Sequence, residues 1–340
     1  MAKIVFGVGT SHSPLLAMKP DQWHLRAEDD RQNAKHFYRG KVLNFDELVK
    51  LRKGENLNAQ IALDVIRERD KRNQKHLDFL GRKIIEADLD VLVIFGDDQR
   101  EILLSDNSPA FMVFTGARVP FMPTSAERLA EMTPAIRLAD WARTPTSEMS
   151  LPGAPELAKH VVSSVVRGGF DVAVSERVLP KPEAEDGVGH AFGFYYHRLL
   201  NDLNPVPKMA TLPIFINTFF PPNQPTASRV LAFGRAVGRA IRDWDKDMRV
   251  GIAASGGFSH FVIDEELDRR LLAAITSGDT MALASEPESS YQSGTSEIKN
   301  WMAAMAALDG TGLNFELVDY IPCYRSEAGT GNAMCFALWN

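Results

Sequence analysis

The chain is expected to fold as an α/β sandwich: a single domain with a mixed, largely parallel central sheet and helices on both faces. Three observations predict this. Short apolar runs alternate with longer stretches of helical periodicity, the pattern of repeated strand and helix units. The runs are nearly continuous in apolar residues, as strands covered on both faces are. No stretch between them is long or biased enough to serve as a domain linker, so all of residues 1–340 are assigned to one domain.

The elements follow in chain order. KIVFGVG (3–9) is the first strand, and residues 20–56 form a polar, charged insertion, read as helical and as a built-in lid. A long helix is predicted over 56–87, where Ile61, Val65 and Ile66, then Leu77, Leu80 and Ile84, recur at helical spacing with charges between. DVLVIFG (90–96) is the next strand, and TPTSEMSLPGA (144–154) reads as a loop. A helix over 154–167 leads to the strand FDVAVSE (170–176), a loop over 179–189 and a helix over 191–203. TLPIFIN (211–217), a helix over 226–243, RVGIAAS (249–255) and helices over 264–277 and 294–307 come next. NFELVDY (314–320) and NAMCFALW (332–339) close the sheet, and no internal repeat interrupts the series.

Composition narrows the class. At 45% hydrophobic and 24% charged, the chain has the make-up of a soluble globular protein with ample residues for a core. A net charge of −6 argues against a broad nucleic-acid or anionic-membrane surface. Cys323 and Cys335 form no CxxC pattern, which argues against a disulfide scaffold or a thiolate zinc site. MAKIVFGVG reads as a strand rather than a signal peptide, and no apolar run approaches the ~20 residues of a membrane helix. A cytoplasmic enzyme that engages neither nucleic acid nor membrane is expected.

The polar residues at strand ends carry the chemistry. Open α/β sheets bind ligands beyond the carboxyl ends of their strands. His12 lies there, in GTSHSP (9–14) after the first strand. His260 lies at another such end, in SGGFSHF (255–261), where Gly256 and Gly257 allow close backbone approach. IFGDDQRE (94–101) ends a buried strand in two carboxylates and an amide that no helix cap explains. His190, in GVGHAFGF (187–194), precedes a helix whose N-terminal dipole is expected to lower its pKa. Glu297, in SGTSEIKNW (293–301), falls in a first helical turn, where a capping box is the ordinary role. His24, His36, His76, His160 and His197 read as structural or surface residues. No GxSxG, phosphate-binding loop, HExxH or dinucleotide fingerprint is present.

Taken in order, SHSP, GDDQ, GHAFG, NTFFPPNQP (217–225), SGGFSHF and GTSEIKNW resemble the class III extradiol ring-cleavage dioxygenases, the superfamily of the protocatechuate 4,5-dioxygenase catalytic subunit. The resemblance covers nearly the whole chain, and GDDQ with the insertion segment RGK…FDEL (39–48) looks most like the 3-O-methylgallate dioxygenase branch. It implies one non-haem Fe(II) bound by two histidines and a glutamate, with a small aromatic diol and O2 as substrates. His12 and Glu297 match the first histidine ligand and the glutamate. His260 matches the catalytic base, and His190 a second active-site histidine near the substrate hydroxyls. Where the family has an Asn-Asp-His or Pro-Asp-His turn, this sequence has Asp98 and Gln99 in the last two places. Either Gln99 supplies an amide oxygen to the metal, with Asp98 orienting it, or the turn shifts and Asp98 supplies a carboxylate. Charge favours Gln99, because it preserves a positive site for an anionic catecholate.

Arg39 or Arg100 is the expected partner of a substrate carboxylate, with Lys41 a third choice, and Asn217 is placed in the substrate pocket. Trp23, Phe37 and Tyr38 give the insertion its lid character, and Phe219 and Phe220 belong to a pocket wall or a subunit contact; the sequence is compatible with a homodimer. Two rival readings stay open. One is a zinc-dependent hydrolase or deaminase built on His12, Asp98 and Glu297. The other is a non-catalytic, metal-binding relative, kept open by the missing histidine.

Overall fold

The structure is a computed structural model that describes residues 1–178, 187–200 and 209–340. Nine strands form its main sheet: β1 (Ala2–Thr10), β2 (Val91–Gly96), β3 (Phe111–Phe114), β4 (Ala173–Ser175), β5 (Ala210–Ile216), β6 (Met248–Ser255), β7 (His260–Val262), β8 (Phe315–Tyr324) and β9 (Thr330–Trp339). The path across the sheet is β7-β9-β1-β6-β2-β5-β3-β4, and β8 pairs with β9. β1, β6, β2 and β5 are mutually parallel, whereas β9 is antiparallel to β1, β7 and β8. The mixed, mostly parallel sheet is the predicted one, and all seven segments read as strands contribute to it.

Each central strand is apolar on both sides because both sides are covered. In β2, Val91, Val93 and Phe95 enter one core while Leu92 and Ile94 enter the other. The first core is closed by α4 (Pro155–Arg167), α6 (Ala227–Arg242), α7 (Glu265–Ser277) and α8 (Ile298–Ala307). The second is closed by α3 (Leu63–Glu86), through Leu77, Leu80 and Ile84, and by aromatic residues of 191–200. Among the described residues no helix is long and apolar enough to cross a membrane.

Some local readings change. The long helix begins at Leu63, after a separate turn at Leu57–Gln60. The predicted loop 144–154 contains a strand, Met149–Pro152, which pairs with Arg118–Phe121. The insertion is only partly helical: α1 (Trp23–Gln32) and α2 (Phe45–Leu51) flank a hairpin, His36–Tyr38 against Lys41–Leu43. The predicted helix 191–203 starts as α5 (His190–Phe194) and continues as a wider turn over Tyr195–Leu199. Its residues 201–203, and positions 179–186 of the predicted loop, lie outside the described residues.

Candidate metal centre and active site

Three adjacent parallel strands deliver the site. β1 ends at Thr10 and β6 at Ser255, which pair with each other, while Phe95 of β2 pairs with Ala254 on the far side of β6. The chain leaving β1 carries His12, that leaving β6 carries Gly257 and His260, and that leaving β2 carries Asp97 and Gln99. A cavity of about 260 Å³ opens over these ends, lined by His12, Gln99, His190, His260 and Glu297 among others.

His12 is held by one nitrogen. Its Nδ1 lies 2.9 Å from Ser255 Oγ, and that hydroxyl donates its proton to Ala191 O at 2.6 Å. Ser255 Oγ therefore accepts from Nδ1–H, which leaves Nε2 as the nitrogen free to offer a lone pair to a metal. Nε2 is buried, has no hydrogen-bond partner and lies 3.2 Å from Glu297 Oε2.

Glu297 precedes α8 but makes no side-chain cap. Its carboxylate instead accepts from Gly257 N at 3.0 Å and Gln99 Nε2 at 3.1 Å, and faces His260 Nε2 at 3.1 Å. Burial opposes its ionisation, but the His260 imidazole facing it outweighs burial and holds the carboxyl well below the usual range. Asp97 is fully buried below it; Asn300 of α8 donates to its Oδ1 at 3.1 Å. Burial and the Glu297 charge push the Asp97 carboxyl up to about 6. The ligand atoms of His12, Asp97, His190 and Glu297 all lie within 4.8 Å of one another. Two crowded carboxylates and an orphaned imidazole nitrogen are a donor set that fits a divalent transition-metal ion.

Asp98 is not part of that group. Its carboxylate accepts the backbone N–H groups of Glu101, Ile102 and Leu103, which folds the turn after β2. Gln99 enters the site through its amide nitrogen, 3.1 Å from Glu297 and 3.5 Å from Asp97. Asp97 is the acid that sequence reasoning passed over. Strand parity was its available signal: Asp97 continues the side of Val93 and Phe95, which faces α8.

His190 reverses its expected electrostatics. Glu101 accepts from both the backbone N–H of His190, at 2.9 Å, and its Nδ1, at 2.7 Å. Burial would lower the imidazole, as would the helix N-terminus, but Glu101 and Asp97 raise it to about 10. Burial would likewise raise Glu101, but His190 and Arg143 hold it down at about 2. The His190 ring stands edge-on to His12, with centroids 4.5 Å apart. His260 donates from Nδ1 to Phe258 O at 2.7 Å, which leaves Nε2 to face the cavity and Glu297.

The predicted substrate residues lie elsewhere. Arg39 forms a bidentate pair with Asp264 and reaches Glu266, beside a second, separate cavity. Arg100 is exposed, with its guanidinium over the Phe220 ring. Asn217 closes a turn by bonding the backbone of Phe220 in both directions. Arg26, Arg128 and Arg143 are the arginines that line the site cavity, and residues 126–143 contribute more of its wall than the insertion does. His24, His36 and His160 bond backbone carbonyls, His76 pairs with Asp319, and His197 packs near Phe121 and Trp141.

Comparison with known proteins agrees with this geometry. The family model described as "catalytic LigB subunit of aromatic ring-opening dioxygenase" matches residues 64–330. The chain is also similar to a 2,3-dihydroxyphenylpropionate/2,3-dihydroxicinnamic acid 1,2-dioxygenase of Klebsiella pneumoniae subsp. pneumoniae, 30% identical over 179 residues. The protein of that name in Klebsiella pneumoniae strain 342 is 29% identical over 179 residues. Each match covers 53% of this chain and 46% of the relative, so the chain spans about half the length of the curated relatives it matches.

Proposed function

The chain belongs to the family of the catalytic LigB subunit of aromatic ring-opening dioxygenase, and from that premise we propose that it cleaves an aromatic diol with O2, opening the ring beside the diol. The observation that carries this reading is the lone pair of His12 Nε2, fixed by Ser255 and turned toward buried carboxylates at the floor of a cavity that also holds two further histidines. His12, Glu297 and Asp97 would hold Fe(II), with the Gln99 amide at their edge. When bound, Fe(II) supplies open coordination positions and the electron path that lets O2 react with a singlet aromatic ring.

The chain's own residues do the rest. His260 is the proton-transfer residue: Phe258 O fixes its Nδ1 as a donor, so a proton is exchanged with the diol at Nε2, the nitrogen that faces Glu297 and holds its proton more tightly for it. His190, paired with Glu101, keeps a proton on Nε2 at neutral pH and donates it as a hydrogen bond to an anionic diol oxygen. Phe194 and Phe261 line the same cavity and give an aromatic ring apolar surface to rest on. Protocatechuate, gallate and 3-O-methylgallate fit the catecholic acids expected of the sequence, and the named substrates of the two relatives are catechols that also carry a carboxylate. The test is product analysis under 18O2 with these acids and a neutral alkylcatechol. A ring-opened product carrying both labelled atoms supports the proposal, and an intact ring with every diol, on iron-loaded protein, would sink it.

A further inference from the structure

The cavity is lined by two chemically different sets of residues. One is the metal-binding group. The other includes three arginines: Arg26 of α1, and Arg128 and Arg143 of residues 126–143. Two of these arginines have ordinary explanations. Arg143 is committed to Glu101 at 2.7 Å and Asp140 at 2.9 Å. Arg128 is largely exposed and pairs loosely with Glu131 at 3.3 Å on its own helical turn.

Arg26 is different. Its Nη1 donates to Asp29 at 2.5 Å, and Asp29 is in turn held by Thr133 Oγ1 at 2.9 Å, which docks α1 against the cavity wall. Its Nε–H is buried and has no hydrogen-bond partner. A buried donor on a cation is costly to leave unsatisfied, and Nε belongs to the fork with which a guanidinium meets a carboxylate. The neighbouring cation does not compete for a ligand: Arg325 spends its donors on Asp30 and Asn332. Burial and the Arg325 charge disfavour the Arg26 cation, and Asp30 and Asp29 only partly offset them, so an anion meeting its Nε–H would favour the charged form.

Resting on the ring-cleavage reading above, we propose that Arg26 is the specificity-determining residue that binds the carboxylate of a catecholic acid in this cavity. The insertion then contributes one recognition side chain to the site, Arg26 of α1.

Anaerobic calorimetry on the iron-loaded protein tests this without requiring turnover. The probes are 3,4-dihydroxybenzoate and its neutral amide, 3,4-dihydroxybenzamide. The wild type should bind the acid at least tenfold more tightly than the amide. Arg26→Gln should abolish that preference while leaving the amide within twofold of wild type, Arg26→Lys should retain part of it, and Arg128→Gln should leave it intact. Equal binding of acid and amide by the wild type would overturn the proposal, as would no binding of either. So would an equal loss of both ligands in Arg26→Gln, or a preference that follows Arg128 instead. An Arg26-dependent preference in a protein that consumes no O2 would uphold this subsite and remove the dioxygenase reading, so the two fail separately.

Discussion

Ser255 decides which nitrogen of His12 is available for a metal. Its hydroxyl proton goes to Ala191 O, so it accepts from His12 Nδ1 and leaves Nε2 bare. Partners of this kind orient a ligating imidazole, and their loss costs about 10–100-fold in metal affinity. Ser255→Ala is therefore expected to weaken Fe(II) binding by that factor, read by anaerobic competition with a chromogenic chelator. Unchanged affinity would mean that the hydroxyl does not set the His12 tautomer.

Glu101, itself buried, answers three donors: the His190 backbone and ring, and Arg143. Removing its charge takes the nearest counter-ion from His190, while Arg143 keeps Asp140, a change worth roughly 3–5 kcal/mol for a buried pair. Glu101→Gln should lower unfolding free energy by about that amount in a denaturant titration. A loss below about 1 kcal/mol would show that the pair is solvated in solution.

Gly294 has room for nothing larger. A Cβ placed there would lie 2.1 Å from His260 Cδ2 and 2.5 Å from Nε2. Gly294→Ala should displace His260, the proposed proton-transfer residue, while His12 and Asp97 stay in place. The expectation is iron bound at wild-type stoichiometry with kcat down about 10²-fold, the scale of a misplacement near 1 Å. Wild-type kcat in this variant would remove His260 from the reaction.

Asp268 gives stability a pH dependence away from the metal centre. Its carboxylate is fully buried and accepts from Ser259 N, Ser259 Oγ and Tyr320 OH. Burial still pushes its carboxyl up to about 7. A raised folded-state value stabilises fully below the unfolded value near 3.8, and that contribution is lost as pH rises through about 7. Relative to Asp268→Asn, the wild type should lose on the order of 4 kcal/mol between pH 4 and pH 7, with no further change above. Parallel stability curves for the two proteins would contradict this.

The sheet is legible in the sequence because its strands are long, apolar runs: burial on both faces writes itself into composition. β3, FMVF, is missed because four residues carry no periodicity. The strand-end positions of His12 and His260 are legible for the same reason as the sheet, since a strand's end is visible when the strand is. Roles that depend on distant partners are not. Nothing local says that Arg39 meets Asp264, 225 residues away, or that Glu101 reverses the helix-dipole effect on His190. Asp97 and Asp98 differ by one residue and therefore by face; one turns to α8 and the other folds the turn. Arg26 is hidden because α1 reads as a polar surface helix until its docking buries one side.

The central claim is that a metal bound at His12 activates O2 toward a diol. Its most direct test compares wild type with His12→Ala, each titrated anaerobically with Fe(II) and then given O2 and a catecholic acid. One iron per chain and one O2 consumed per diol in the wild type, both lost in His12→Ala, is the predicted result. Stoichiometric iron with no O2 uptake on any diol, or uptake that persists in His12→Ala, would contradict it.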